Sequence, residues 1–162
     1  MTPSMKKTKA FRCVECGEGM VRPLAKAGRQ SKYRTLTLPI PATLEIPTCD
    51  HCGAEWMGDS AAEALDASLE AEYRRRMRDL VTAAMDKLAK SDISKAFVER
   101  LLGLAQGYVS HLTTTGDKTP SEALALDLAL LAQDPSRVEF AQELWRKLSG
   151  AKPDPIGALS GR

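Results

Sequence analysis

The chain has 162 residues, a length that suits one ordinary domain or two small ones. Aromatic residues make up only 5% of it and hydrophobic residues 43%, a balance that favours small helical units over a β-sandwich, which needs more β-branched and aromatic residues. The formal net charge of +2 identifies no partner, although residues 1–34 hold nine Lys and Arg against two acids.

The first ten residues, MTPSMKKTKA, are basic and small, and segment 1–10 is predicted to be disordered. It lacks the apolar core of a signal peptide, and no run of about 18 apolar residues follows that would span a membrane. We therefore expect a cytoplasmic protein. In that compartment thiols stay reduced, and paired cysteines serve more often as metal ligands than as disulfides.

Residues 11–58 are predicted to form a small β unit folded around one zinc ion. The pattern Cys-x-x-Cys-Gly occurs twice and uses every cysteine of the chain. Each such turn places two sulfur atoms on one side of an ion, and the glycine permits the tight backbone. The predicted zinc ligands are Cys13, Cys16, Cys49 and Cys52. Four thiolates leave no open position for a substrate, so the zinc is expected to be structural, and His51 is interpreted as an exposed turn residue.

Between the cysteine turns, the stretch KYRTLTLPI alternates polar and apolar residues with a period of two, which predicts a strand. The alternation resumes over Thr43, Leu44 and Ile46. Three prolines in this region restrict the strands to short or edge positions.

A long amphipathic helix is predicted over residues 59–90, connecting two domains. Ser60 and Glu63 have the spacing of a capping box at its start. The apolar stripe consists of Leu65, Leu69, Tyr73, Met77, Leu80, Ala84 and Leu88. An alternative is two helices with a soft junction near Arg74–Arg78, a basic cluster that we interpret as a solvated helix face.

Residues 91–149 are predicted to form an all-α domain, and the tail 150–162 to be flexible. Asp92 is expected to cap a helix over 94–102, and a second helix is expected over 105–114. A capping box at Thr119–Glu122 predicts a Leu-rich helix over 121–132, with apolar surface for both a core and a dimer contact. The final helix is expected to start at Asp134. Its predicted buried face consists of Val138, Ala141, Leu144, Trp145 and Leu148.

Over about residues 93–133, the chain resembles the lambda-repressor-like (Xre/Cro) helix-turn-helix family. The residues that carry the resemblance are the Leu101-Leu102-Gly103-Leu104 turn, Gln106, the Val109-Ser110 pair, and Gly116, Lys118, Pro120 and Ser121 at the approach to the next helix. Together with the upstream cysteines, the order of motifs looks like that of the MqsA/YgiT-type antitoxins. The resemblance implies an α+β protein with an N-terminal four-cysteine zinc domain and a lambda-repressor-like helix-turn-helix domain.

The same resemblance implies a homodimer that binds double-stranded DNA and represses its own operon, with the zinc domain available to bind a possible partner toxin. Carried over by position, the implied base contacts are Gln106, Gly107, Tyr108, Ser110 and His111, and the implied phosphate contacts are Lys95 and Lys118. Gln can bond adenine through two hydrogen bonds, and Ser or His can bond base edges.

The charge of the helix-turn-helix region differs from what DNA binding would require. The segment 105–114 contains no Lys or Arg, and residues 91–150 carry six bases against eight acids, a net charge of −2. Phosphate affinity depends on basic charge, so this domain alone is expected to bind DNA weakly. Dimerisation, or the basic segments 6–34 and Arg74–Arg78, would compensate. The alternative is a zinc-ribbon protein-interaction module whose helix-turn-helix has little DNA affinity. No nucleophile elbow, phosphate loop or catalytic pair of carboxylates is recognised, so an enzyme is not expected.

Overall fold

The computed structural model describes residues 10–114 and 118–149. The chain divides between Arg75 and Arg76 into two compact units. The five described strands lie in the first unit and four helices in the second, so the fold is α+β, as predicted. Segment 1–10, apart from Ala10, and tail 150–162 lie outside the described residues. No helix in the described part of the chain is long and apolar enough to cross a membrane.

A three-stranded antiparallel sheet in the order β1–β2–β5 carries the cysteine turns. β1 (Phe11–Arg12) pairs with the start of β2 (Met20–Ala25), and β2 pairs along its whole length with β5 (Glu45–Cys49). Pro23 of β2 lies opposite Pro47 of β5, at a position that the two-residue β1 does not reach. Pro23 therefore sits where a missing N–H donor costs no hydrogen bond to a third strand.

A separate hairpin consists of β3 (Gln30–Tyr33) and β4 (Leu36–Pro39). The prediction of one strand through this stretch was wrong, because the chain turns at Arg34, which has a φ of 52°. Contacts with the following helix accompany this left-handed conformation. The Arg34 guanidinium lies 4.7 Å from the centroid of the Tyr73 ring, and the Tyr33 hydroxyl donates a 2.6 Å hydrogen bond to Glu70.

A buried arginine joins the sheet to the segment that follows it. Arg29 donates hydrogen bonds of 2.8 Å to the Leu24 carbonyl and 2.9 Å to the Thr48 hydroxyl, and its Nε lies 2.9 Å from a Glu55 carboxylate oxygen. These partners come from three separate stretches of chain. Because the Arg29 side chain is only 7% exposed, its charge is compensated by Glu55 instead of by water.

The helix α1 (Asp59–Ala89) is continuous, so the alternative of two helices is wrong. It begins before Ser60, which therefore lies within the first turn and is not the N-cap. The predicted stripe is buried at five positions: Leu69, Tyr73, Met77, Ala84 and Leu88. Leu80 is instead 38% exposed, and Val81 is fully buried in its place, because residue 81 continues the four-residue spacing from Met77.

Four shorter helices follow, each near its predicted position. They are α2 (Lys95–Leu101), α3 (Tyr108–Thr114), α4 (Glu122–Gln133) and α5 (Ser136–Ser149). The caps predicted for α2 and α4 were wrong. Ser94, and not Asp92, caps α2, and Ser121 caps α4 by accepting a 3.2 Å hydrogen bond from the Leu124 N–H. Pro120 consequently lies before the helix and is buried there.

The predicted buried face of α5 is only partly correct. Val138 is buried and Ala141 half-buried, but Leu144 is 47%, Trp145 57% and Leu148 69% exposed. The Trp145 indole N–H nevertheless donates a 2.9 Å hydrogen bond to the Leu101 carbonyl, at the end of α2. This bond attaches α5 to the rest of the second unit through its Trp145 side.

Candidate functional site

The four cysteines lie in two turns of similar geometry at one end of the three-stranded sheet. The first turn follows β1 and is closed by a 3.0 Å hydrogen bond from the Gly17 N–H to the Cys13 carbonyl. The second follows β5 and is closed by a 3.1 Å bond from Gly53 to Cys49. Both glycines have a left-handed φ, 69° and 75°, which a residue with a Cβ would adopt only with strain.

The sulfur positions match the geometry of a tetrahedral metal site. All four Sγ atoms lie within 4.8 Å of one another, with 3.7 Å between Cys13 and Cys52 and 3.8 Å between Cys16 and Cys49. A zinc ion with bonds of about 2.3 Å to four thiolates holds the sulfurs about 3.8 Å apart. A disulfide needs a separation of about 2.05 Å, and none of the four cysteines is paired in that way. The four cysteines can therefore hold one metal ion.

Thiol acidity in the cluster indicates why a cation would stabilise it. Hydrogen bonds from the backbone N–H groups of Gly19 and Glu18 lower the pKa of Cys16 to about 6. The Ala54 N–H also lowers the pKa of Cys52, but desolvation and the other three thiols raise it to about 12. Four thiolates in such proximity repel one another unless a cation binds them, and metal binding would release the remaining protons.

Gly19 is a supporting residue that the sequence patterns did not reveal. A Cβ at this position would lie 2.5 Å from the Cys49 Sγ and 2.7 Å from the Cβ of His51. Only glycine leaves room for the second cysteine turn. Its φ is not left-handed, so the requirement comes from packing between two distant turns. His51 itself is exposed, and its Nε2 lies 3.1 Å from a Glu18 carboxylate oxygen.

We expect a Gly19→Ala substitution to weaken metal binding by about 10- to 100-fold, as for other changes next to a ligand. The added methyl group must displace the Cys49 sulfur. The matched control is Gly58→Ala, because a Cβ there meets nothing within 4 Å and the φ is not left-handed. Competition with a chromogenic zinc chelator measures both affinities. Equal affinities for the two variants would contradict the packing requirement.

In the second unit, α2 and α3 are joined by a six-residue turn and share a core. Val98, Val109 and Leu112 are fully buried and Leu101 nearly so. The turn contains two glycines with left-handed φ, Gly103 at 65° and Gly107 at 79°. Leu104, which lies in the turn, is half-buried.

The predicted DNA-contacting residues gather around α3. Gln106 and Gly107 precede the helix in the turn, Tyr108 is its first residue, and Ser110 and His111 follow within it. Gln106 and His111 are exposed, and the other three are half-buried. Both predicted lysines contact the same helix. Lys95 donates a 3.1 Å hydrogen bond to the Thr113 hydroxyl, and the Lys118 ammonium lies 5.7 Å from the centroid of the Tyr108 ring.

The position of α3 relative to α2 depends on Glu99, a role that the sequence patterns also did not reveal. Glu99 is only 4% exposed. Its two carboxylate oxygens accept hydrogen bonds of 2.9 Å from the backbone N–H groups of Gly107 and Val109, at the start of α3. One side chain of α2 therefore satisfies two donors that a helix start leaves unpaired. Periodicity gives no sign of this role, because residue 99 lies to the side of the apolar face of α2.

Two arginines of the basic cluster in α1 are paired with acids of the same helix. Arg74 Nε lies 2.6 Å from Glu70, and Arg75 forms a 2.7 Å ion pair with Glu72. Paired guanidinium groups contribute little net positive potential. The interpretation of this cluster as a solvated helix face is consistent with these contacts.

No protein-family model matches the chain, and no curated protein matches its sequence significantly.

Proposed function

We propose that the protein is a sequence-specific DNA-binding transcriptional regulator in which α3 reads base edges. The observation that carries the proposal is the arrangement around α3, whose start is held by Glu99. Gln106 is exposed just before the helix and His111 is exposed within it, and Lys95 and Lys118 flank them. Gln and His side chains can bond base edges in the major groove, and flanking lysines can contact phosphates.

In this proposal the metal ion is one zinc ion per chain, and its role is structural. Thiolates are the usual ligands of structural zinc, and four of them leave no site for a reacting molecule. The ion would fold a sheet whose own apolar core is small. The protein is then a cytoplasmic regulator and not an enzyme.

We further propose an antitoxin that represses its own operon as a homodimer, with the zinc unit available to bind a toxin. The order of the two units along the chain supports this assignment. A dimer would place two copies of α3 on two half-sites and double the few phosphate contacts that one copy offers.

The test is a gel-shift titration of the zinc-loaded protein on the DNA upstream of its own gene. We expect a specific complex for the wild type and loss of specificity in a Gln106→Ala, His111→Ala double variant. Each lost base contact should weaken specific binding by about 1–3 kcal/mol. The matched control is Gln142→Ala, an exposed position on α5. A folded protein that gives no shift even at low salt would overturn the regulator proposal.

One observation favours a second candidate, a protein-interaction module with little DNA affinity. Residues 91–150 carry a net charge of −2, and α3 contains no Lys or Arg. An acidic surface of this kind suits a basic protein partner better than a phosphate backbone. Co-purification with the product of a neighbouring gene, in the absence of any DNA shift, would select this candidate.

A further inference from the structure

Thr114, the last residue of α3, lies on the outward face of that helix. Val109 and Leu112 are fully buried and define the inward face. At about 100° per residue, Thr114 is rotated by about 170° from the midpoint of those two side chains. Ser110 and His111 are each rotated by only about 130° from it. Thr114 is exposed, and it faces away from the unit more directly than either of them.

The hydroxyl group of Thr114 is already used within the helix. Its Oγ1 donates a 2.7 Å hydrogen bond to the Ser110 carbonyl, one turn earlier. Such a bond holds the threonine in one rotamer and takes the hydroxyl proton out of use by a ligand. The other branch on Cβ is a methyl group, so the part of this exposed side chain that stays free for contact is apolar.

The neighbouring threonine differs in both respects. Thr113 is half-buried, and its hydroxyl donates to two carbonyls of the preceding turn. The same hydroxyl accepts a hydrogen bond from Lys95 of α2. Thr113 therefore belongs to the contact between the two helices, and it offers a matched control of the same residue type.

A methyl group on a helix that reads bases matches one feature of the major groove. Thymine alone among the four bases presents a methyl group there, and an apolar side chain such as the Thr methyl recognises it by contact. A polar base edge would gain no proton donor from Thr114, because that proton is bound to the Ser110 carbonyl. The helix contains no Lys or Arg, so its reading of sequence must come from neutral and His contacts.

We propose that Thr114 is a further specificity-determining residue, whose methyl group contacts the C5-methyl group of a thymine in the bound DNA. The inference rests on the proposed function, because it requires α3 to lie in the major groove. Thr114 follows His111 by about 4.5 Å along the helix axis, little more than one base-pair step. The thymine is therefore expected beside the base pair that His111 contacts.

The test compares thymine with deoxyuridine, which lacks only the C5-methyl group. A duplex enriched from a random library by the zinc-loaded wild type is prepared with each thymine of one half-site replaced in turn. Fluorescence anisotropy measures the affinities. We expect one replacement to weaken wild-type binding by about fourfold, the effect of burying one methyl-sized group.

Thr114→Ser keeps the hydroxyl and lacks the methyl group. It should bind the thymine and deoxyuridine duplexes equally at that position, because the two changes remove the same contact from opposite sides and their effects do not add. Thr113→Ser is the matched control and should keep the fourfold preference of the wild type. Circular dichroism checks that each variant is folded.

Three results would overturn the inference while leaving DNA reading by α3 in place. They are a wild type indifferent to every replacement, a Thr114→Ser variant that keeps the preference for thymine, and a Thr113→Ser variant that loses it. A folded, zinc-loaded protein that enriches no duplex would overturn the proposed function and this inference with it.

Discussion

Removing the metal ion will unfold the sheet of β1, β2 and β5 while the helices of the second unit remain. The buried cluster next to the site contains only Cys13, Val21 and Cys49, with Cys16, Ala54 and Trp56 packed against it. Three of these six residues are predicted ligands, so metal binding and core formation are the same event. Zinc binding contributes about 10 kcal/mol or more in small four-ligand domains, which exceeds what so small a core supplies.

Backbone amide NMR of the zinc-loaded protein, before and after a chelator, measures this loss. We expect the amide signals of β2 and β5 to collapse to unfolded positions, and those of α4 to stay in place. Cys49→Ser should have the same effect, because Cys49 is the last residue of β5 and its sulfur is a predicted ligand. Restoring zinc to the chelated wild type is the control. A sheet that keeps its dispersed signals without metal would show that the ion does not hold the fold together.

Replacing Glu99 by Ala will destabilise the second unit by about 3 kcal/mol. The substitution leaves the N–H groups of Gly107 and Val109 without the acceptor that both share. Hydrogen bonds to a charged group each contribute about 1.5–3 kcal/mol, and the Val109 bond is buried, so water cannot replace the carboxylate there without rearrangement. The stability of Glu99→Gln should lie between those of the wild type and Glu99→Ala, since an amide offers one acceptor oxygen for two donors.

Urea unfolding followed by the helical circular dichroism signal measures this change. Asp127→Ala is the matched control, because Asp127 is exposed on α4 and its removal should change the free energy of unfolding by less than about 0.5 kcal/mol. If Glu99→Ala and Asp127→Ala cost the same, the buried carboxylate does not hold the start of α3.

Local sequence patterns were sufficient where the structure depends on local geometry. The Cys-x-x-Cys-Gly turns are short segments that set their own backbone, and the α1 stripe repeats often enough to indicate one long helix. The fold class and the positions of all four short helices followed from the same signals. Cap residues were less predictable, because Asp92 and Ser94 are both good caps and only the course of the chain decides between them.

Features that depend on distant parts of the chain could not be predicted. Arg34 turns the β3–β4 hairpin without the Gly or Asn that usually marks such a turn, and its side chain packs on α1. Position 19 must be glycine because a cysteine turn thirty residues away packs against it. Glu99 is needed because it accepts a hydrogen bond at the start of α3, the next helix along the chain. The apolar face of α5 was predicted to be buried, but Leu144, Trp145 and Leu148 are exposed. Periodicity shows which residues share a face of a helix, and it does not show whether anything covers that face.

Selection of DNA sequences from a random library by the zinc-loaded wild type tests most directly whether α3 reads bases. The selection works without a known operator sequence. We expect an enriched motif of two inverted half-sites, and relaxed preference within each half-site for the Gln106→Ala, His111→Ala variant. A library that shows no enrichment at any salt concentration, with protein that is folded and zinc-loaded, would contradict DNA reading by α3.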